Sequence, residues 1–122
     1  MDYISNIKSI ASKYNIDCIG LFGSRARGDF NAYSDYDIFI IGDISLNEEL
    51  KLEGELEVAL KHTVDLIRLD DETSKNLAKN ILNDAKVILN RNKAFERRYE
   101  EVDNFFIENS DFIRRREREL LD

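Results

Sequence analysis

The sequence predicts an α/β domain (α+β) in which helices pack on a small mixed sheet of three to four strands, with a long C-terminal helix. Three apolar runs rich in β-branched and aromatic residues, at 16–22, 36–41 and 63–69, have the length of buried strands. Between these runs the apolar residues recur every three or four positions, which is the spacing of a helix packed on one face. The alternation of the two patterns predicts helices layered on a sheet.

Length and composition limit the chain to a single domain. It has 122 residues, of which 43% are hydrophobic and 35% charged, and no proline-rich or low-complexity segment marks a linker. We divide it into a core over residues 1–90 and an amphipathic C-terminal helix over 91–122. No apolar run approaches the roughly 18 residues that a membrane span needs, so we expect no membrane association and a cytoplasmic location.

The first elements surround a break in the chain after the first strand. Apolar residues at helical spacing over 4–14 predict a helix, and residues 16–22 predict the first buried strand. Gly23 interrupts this strand, because glycine weakens strands and favours turns. Residues 24–27 are then predicted to form a short helix that Gly28 ends.

The middle of the chain repeats this order. A polar loop at 29–34 leads into the second strand at 36–41. Ser45 and Glu48 have the spacing of a capping box, so a helix is expected to begin there and to continue to about Lys61. Leu46, Leu50, Leu56 and Leu60 follow one another along this predicted helix.

The last elements are less sharply marked. The third strand is expected at 63–69, and Asp71 or Thr73 is expected to open the next helix. Residues 86–89 fit either a short fourth strand or the end of that helix. A long helix is predicted over 92–121 from an amphipathic stripe made of Phe95, Tyr99, Val102, Phe106, Ile113 and Leu120.

Two residue types that often mark chemical sites are isolated here. Cys18 has no second cysteine to pair with and lies in an apolar run, so it is expected in the core. His62 has no His or Cys partner at metal-ligand spacing and is expected to be a polar residue at a helix end.

The pattern that carries chemistry is Gly23-Ser24, ten residues, then Asp35 and Asp37. Glycine lets the backbone approach a ligand closely, and Ser24 is expected to open a helix whose free N–H groups face an anion such as a triphosphate. Two aspartates at i and i+2 on a strand point to the same face, about 6.5–7 Å apart at Cα. Side chains at that spacing can converge on a pair of metal ions.

Asp65 is the candidate third carboxylate. It stands in the apolar run Val-Asp-Leu-Ile at 64–67, where burial of an unpaired charge would be costly. A metal ion shared with Asp35 and Asp37 would compensate for that cost. A strand that reaches the surface at Asp65 is the alternative interpretation.

The run Gly-Ser-Arg-Ala-Arg-Gly at 23–28, with Ser-Asp-Tyr-Asp at 34–37, resembles the signature of the DNA polymerase beta-like nucleotidyltransferase superfamily. Within it, the segment 16–65 resembles the minimal nucleotidyltransferases (MNT), many of which are antitoxins paired with a HEPN-domain ribonuclease toxin. The resemblance covers about residues 1–90. It implies the polymerase beta-like nucleotidyltransferase fold and the transfer of a nucleotide to an acceptor hydroxyl.

The resemblance also implies roles for individual residues. Gly23 and Ser24 would hold the triphosphate, and Asp35 and Asp37 would bind both metal ions. Asp65 would bind one metal ion and help to activate the attacking hydroxyl. The implied cofactor is a pair of Mg²⁺ ions, with Mn²⁺ as a substitute, and the implied nucleotide substrate is ATP.

Arg25 and Arg27 match the family's Ser-Arg-x-Arg-Gly turn, which makes both candidates for contact with phosphate. Arg27 is equally consistent with a surface residue. Tyr36 stands where the family usually has an aliphatic residue, and we expect core packing to accommodate it. The C-terminal helix lies outside the resemblance, so no role is implied there.

Three hypotheses about the acceptor follow. The leading one, implied by the resemblance, is transfer of AMP to a tyrosine of a cognate HEPN toxin, with this chain as the antitoxin. The alternatives are transfer to a small molecule, as in aminoglycoside nucleotidyltransferases, and an antitoxin that only binds its toxin. Nucleic acid is not expected as the acceptor, because the net charge is −7 and no basic stripe is present.

The C-terminal helix gives a further hypothesis about partners. Over residues 92–121 it would be about 45 Å long, which exceeds the core beneath it. We therefore expect its distal part to project, and residues 99–120 to bind either the toxin or a second copy of the chain. The alternative is a helix that breaks near Asn109 and folds back on its own domain.

Overall fold

The computed structural model describes residues 3–109, and the following structural statements concern these residues. Five helices and four strands alternate along this range. In chain order they are α1 (Tyr3–Ala11), β1 (Ile16–Phe22), α2 (Gly23–Arg27), β2 (Tyr36–Gly42), α3 (Leu46–Leu60), β3 (Val64–Arg68), α4 (Lys75–Asp84), β4 (Lys86–Asn90) and α5 (Ala94–Glu108).

The strands form one mixed sheet in the order β3-β2-β1-β4. β1 is antiparallel to both β2 and β4, and β2 is parallel to β3. The predicted fold class, a small mixed sheet of four strands packed by helices, is confirmed. Residues 86–90, for which a strand and a helix end were both considered, form the edge strand β4 beside β1.

Both faces of the sheet are covered, so neighbouring residues of the central strands enter different cores. Ile38 and Ile40 of β2 face a core that α1 and α3 complete. Phe39 and Ile41 face a second core that α4 and α5 complete. Cys18, fully buried, belongs to this second core as expected. The continuous apolar run of β2 is explained by burial on both faces.

The capping box of α3 is confirmed. Ser45 accepts a hydrogen bond from the N–H of Glu48, and the Glu48 carboxylate accepts one from the N–H of Ser45. Two of the leucines named for this helix, Leu46 and Leu50, are 65% and 58% exposed. The face that meets the sheet is formed by leucines four residues apart, namely Leu52, Leu56 and Leu60.

Two helix boundaries differ from the prediction. The first helix ends at Ala11, and Tyr14 is buried in the loop that follows, where its hydroxyl donates to Glu55. α4 begins at Lys75 with Ser74 as its N-cap, not at Asp71 or Thr73. The Thr73 hydroxyl is not available as a cap because it accepts from the N–H of Asp70, 3.1 Å away, in the preceding turn.

α5 uses its apolar stripe to cover its own sheet. Val102 is 3% exposed, and Phe95 and Phe106 pack against the second core. Tyr99 of the same stripe is 40% exposed, so the stripe is only partly covered as far as Phe106, and partner binding by residues 99–120 stays a prediction. The rest of the predicted helix, including Ile113 and Leu120, lies outside the described residues.

No helix within residues 3–109 is both long enough and apolar enough to cross a membrane.

Candidate active site

The candidate site lies at one end of the sheet, where β1 ends and where β2 and β3 begin. Because β1 and β2 are antiparallel, the last residue of β1, Phe22, pairs with Asp37 near the start of β2. Because β2 and β3 are parallel, Asp37 also pairs with Asp65 near the start of β3. The sheet thus places Gly23, which follows β1, beside two of the three predicted carboxylates.

The three carboxylates share one electrostatic neighbourhood. The pKa of Asp37 is raised, first by burial and then by the negative charges of Asp65 and Asp35, while Arg27 acts in the opposite direction. Asp37 is partly buried, and Asp35 and Asp65 are exposed. Of the two interpretations of Asp65, the structure agrees with a strand that reaches the surface at this residue. β3 is an edge strand of the sheet, and Asp65 is exposed to solvent on it.

Gly23 is required by its conformation and by its neighbour. Its φ is +69°, a region that residues with a side chain rarely adopt. A Cβ atom added to it would lie 2.4 Å from Oδ2 of Asp37, which is far inside van der Waals contact. The Asp37 carboxylate therefore lies against the backbone of Gly23, and only glycine permits this approach.

The short helix α2 begins one residue earlier than predicted, at Gly23, so Ser24 lies within its first turn. Gly28 ends α2 with a φ of +86°, and its N–H donates to the carbonyl of Ser24 at 2.9 Å. The Ser24 hydroxyl makes no hydrogen bond to another part of residues 3–109 and is half-buried, so it remains available to a ligand at this edge.

Arg25 is held by the loop that precedes Asp35. Its guanidinium lies between the rings of Phe30 and Tyr36, 4.5 and 4.0 Å from their centroids. It also donates to the carbonyl of Ser34 at 2.8 Å. In this position Arg25 holds the 29–34 loop, and the phosphate contact that its motif implied stays a prediction.

Arg27 has a different environment. It is half-exposed and forms ion pairs with Asp84 at 2.8 Å and with Asp29 at 3.3 Å. Its positive charge also acts on Asp37. Surface ion pairs of this kind contribute little free energy, so the Arg27 side chain can exchange them for an anionic ligand.

His62, whose role the sequence did not indicate beyond a helix end, connects α3 to the same loop. Its ring nitrogens lie 2.9 Å from the carbonyl oxygens of Leu60 and Ala32, and its ring packs edge-on against Tyr36. The only feature of the sequence that pointed to these contacts was the aromatic residue at position 36, where the family usually has an aliphatic residue. Tyr36 contacts both Arg25 and His62.

The three carboxylates are chemically suited to divalent cations, but their side chains do not converge on a common point. Carboxylate oxygens are the ligands that Mg²⁺ and Mn²⁺ prefer. The mutual repulsion that raises the pKa of Asp37 is what a bound cation would relieve. Within residues 3–109, however, no three His, Cys, Asp or Glu side chains already converge as a metal-binding group. Asp35, Asp37 and Asp65 would have to turn toward a cation as it binds.

The fold and the site define a nucleotidyltransferase. Residues 5–94 match the family described as Polymerase beta, Nucleotidyltransferase, and the chain belongs to this family. The resemblance that the sequence indicated is thereby confirmed. No curated protein matches the chain.

Solved structures of similar fold include MNT antitoxins. One is a toxin–antitoxin complex with AMP-PNP, 21% identical with a TM-score of 0.73, in which the match covers 90% of this chain and 94% of that one. Another is a tri-AMPylated HEPN toxin of Shewanella oneidensis in complex with its MNT antitoxin. That match is 20% identical with a TM-score of 0.66 and covers 91% of this chain and 92% of that one. At these identities the likeness establishes the shared fold.

Alanine at Gly23 tests the contact with Asp37. We expect Gly23→Ala and Gly28→Ala each to lower the free energy of unfolding by about 1–2 kcal/mol, because both positions have positive φ. Only Gly23→Ala places a Cβ against Asp37, since an added Cβ at Gly28 meets nothing within 4 Å. Only Gly23→Ala should therefore lose binding of an ATP analogue with Mg²⁺, measured by calorimetry. Equal affinities of the two variants would show that the contact is irrelevant to the ligand.

Lysine at Arg25 tests the positioning role. Arg25→Lys keeps the charge but loses the planar stacking on Phe30 and Tyr36, at about 0.5–1 kcal/mol for each ring. The backbone amides of Asn31 and Tyr33, which donate to side chains within the loop, should then exchange their hydrogens about tenfold faster. Arg97→Lys, at an exposed residue of α5 away from the loop, is the control and should leave these amides unchanged. Unaltered exchange in Arg25→Lys would exclude a role in holding the loop.

Proposed function

We propose that this nucleotidyltransferase transfers AMP from ATP to a tyrosine of a cognate HEPN ribonuclease toxin and thereby acts as its antitoxin. The observation that supports this most directly is the placement of Gly23, Asp37 and Asp65 beside one another by strand pairing in a chain of this family. The fold shared with MNT antitoxins of HEPN toxins supports the choice of acceptor.

In this reaction the acceptor oxygen forms a bond to the α-phosphorus of ATP, the bond to the β-phosphate breaks, and pyrophosphate leaves. The acceptor proton passes to solvent or to a neighbouring carboxylate. Divalent cations held by Asp35, Asp37 and Asp65 would lower the pKa of the acceptor hydroxyl and neutralise charge on the pyrophosphate.

The other groups of the site would bind and orient the nucleotide. The Ser24 hydroxyl and the first N–H groups of α2 lie next to Gly23, where the backbone can approach a phosphate most closely. Arg27 can leave its surface ion pairs for the same anion. The loop held by Arg25 and His62 keeps Asp35 near Asp37. These roles require little movement of the backbone.

The direct experiment is reconstitution with the product of the neighbouring gene, which this proposal expects to be a HEPN protein. We expect incubation with ATP and Mg²⁺ to add AMP to a tyrosine of that protein, as identified by mass spectrometry, and to abolish its ribonuclease activity. Inhibition without any mass change would support an antitoxin that only binds. Modification of an aminoglycoside in preference to the HEPN protein would support the small-molecule alternative.

Loss of a single carboxylate should abolish transfer and leave the fold intact. Asp37→Asn removes a charge whose pKa is raised by burial and by Asp65 and Asp35, so the apo protein should be as stable as the parent or more stable. Transfer, which should require Mg²⁺ or Mn²⁺, should fall below detection by mass spectrometry in Asp37→Asn and Asp35→Asn. Asp43→Asn, an exposed aspartate beyond the other end of β2, is the control and should retain transfer. Activity in both site variants would contradict the mechanism.

The Ser24 hydroxyl should contribute one hydrogen bond to the triphosphate. Ser24→Ala is expected to weaken binding of a non-hydrolysable ATP analogue with Mg²⁺ by about 1–2 kcal/mol, as measured by calorimetry. Ser5→Ala, on the exposed side of α1, is the control and should bind like the parent. An unchanged dissociation constant in Ser24→Ala would leave Ser24 without a role in nucleotide binding.

A further inference from the structure

The outward face of α3 carries apolar residues that the core does not use. Leu46, Leu50 and Val58 are 65%, 58% and 79% exposed, and with Gly54 they recur every four residues. We call Leu46, Leu50, Gly54 and Val58 the α3 stripe. It runs along the side of the helix opposite to its buried leucines, so the fold of the described residues does not account for it. Single exposed apolar residues are common, but a continuous line along a helix marks a contact surface.

Gly54 is the most informative member of the α3 stripe. It lies in the interior of a helix of 15 residues, where glycine is less favourable than any residue except proline. Nothing lies within 4 Å of a Cβ added at this position, so no contact of the described residues requires glycine. A backbone or side chain of another molecule packed closely over Gly54 would require it. A shallow depression in the surface of α3 lies there, with Gly54 and Val58 in its lining.

The charge beside the α3 stripe indicates the kind of partner. Glu49, Glu53 and Glu57, here called the acidic row, follow one another at four-residue spacing along its flank. Glu49 is paired with Arg68, but Glu53 has no ion pair or hydrogen bond within residues 3–109. The pKa of Glu53 is raised by burial, then by Glu57, Asp65 and Glu49. A partner with basic side chains along this edge would relieve that repulsion.

A second copy of the chain fits this surface poorly. If two α3 helices packed antiparallel about a twofold axis, the acidic row of one copy would lie beside the acidic row of the other. Like charges facing each other across an interface are unfavourable. The charge pattern therefore disfavours packing of two α3 helices and favours a partner surface that carries basic side chains.

The acidic row also connects the α3 stripe to the candidate active site. The Glu57 carboxylate accepts a hydrogen bond from the N–H of Val64 at 3.1 Å, and Val64 precedes Asp65 on the edge strand β3. A protein docked on α3 along the acidic row would therefore reach the β3 edge, on which Asp65 is exposed.

We propose that the α3 stripe is the docking surface for the acceptor protein, which contributes an α-helix with an apolar strip edged by Lys or Arg side chains. This inference rests on the proposed function, because it assumes a protein acceptor. A residue of the partner helix packs over Gly54 between Leu50 and Val58. The basic edge of that helix lies along Glu53 and Glu57.

The test measures the affinity of the full chain for the product of the neighbouring gene, which the proposed function expects to be the HEPN protein, together with its affinity for an ATP analogue with Mg²⁺. Val58→Lys removes an apolar contact and sets a positive charge against the basic edge, and should weaken the complex at least about tenfold. Gly54→Ala should raise the thermal midpoint of the chain, since alanine favours helix, yet weaken the complex several-fold. Ile107→Lys, at a residue 63% exposed on α5, is the matched control and should change the affinity less than about twofold.

The analogue should bind all three variants like the parent, which separates docking from nucleotide binding. A complex that Val58→Lys and Gly54→Ala leave unchanged would overturn the assignment to α3, and loss of the complex in Ile107→Lys alone would move the interface to α5. A parent chain that is dimeric alone and becomes monomeric in Val58→Lys would show that a second copy occupies the stripe. Absence of any complex between the parent chain and the HEPN protein would overturn the proposed function itself, and the docking assignment with it.

Discussion

The antiparallel pairing of β1 with β2 is the constraint on which the site depends. It sets Phe22 against Asp37, so that the next residue, Gly23, meets the Asp37 carboxylate with its bare backbone. The parallel pairing of β2 with β3 adds Asp65 to the same end of the sheet. The buried residues of these strands, held by helices on both faces, fix the register. A slip of one residue would exchange the two cores and would also separate Gly23 from Asp37.

The 29–34 loop completes the site by a different kind of interaction. The strands fix Asp37, but Asp35 precedes β2 and depends on the loop. Arg25 stacks between Phe30 and Tyr36, and His62 reaches the loop from the end of α3. Stacking of planar side chains limits the motion of this loop, although the loop has no large hydrophobic core of its own. The loop can therefore be ordered while its residues stay largely accessible to a ligand.

Local signals in the sequence predicted the elements well where one signal decided the outcome. The strand at 16–22 and the capping box at Ser45 and Glu48 were predicted with the bounds that the structure shows. The start of α4 was predicted less well, because several neighbouring residues could act as its N-cap. Which of them does so depends on which hydroxyl already accepts a hydrogen bond in the preceding turn. The buried side of α3 depends on how the helix is oriented on the sheet. The spacing of its apolar residues alone is compatible with more than one buried face. The stacking of Arg25 joins residues whose proximity only the folded chain creates.

The position of Asp65 shows how this small domain accommodates a cluster of negative charge. Only Asp37 is partly buried, whereas Asp35 and Asp65 remain in water, so the desolvation cost falls on one carboxylate and not on three. An edge strand is the place in a sheet where such an arrangement is possible. The same corner carries Glu53, whose charge is also uncompensated. Under the proposed function, the negative charge of this corner would repel a triphosphate as long as no cation is bound. Divalent cations would remove this repulsion, whether Asp35, Asp37 and Asp65 already hold them or they arrive with the nucleotide.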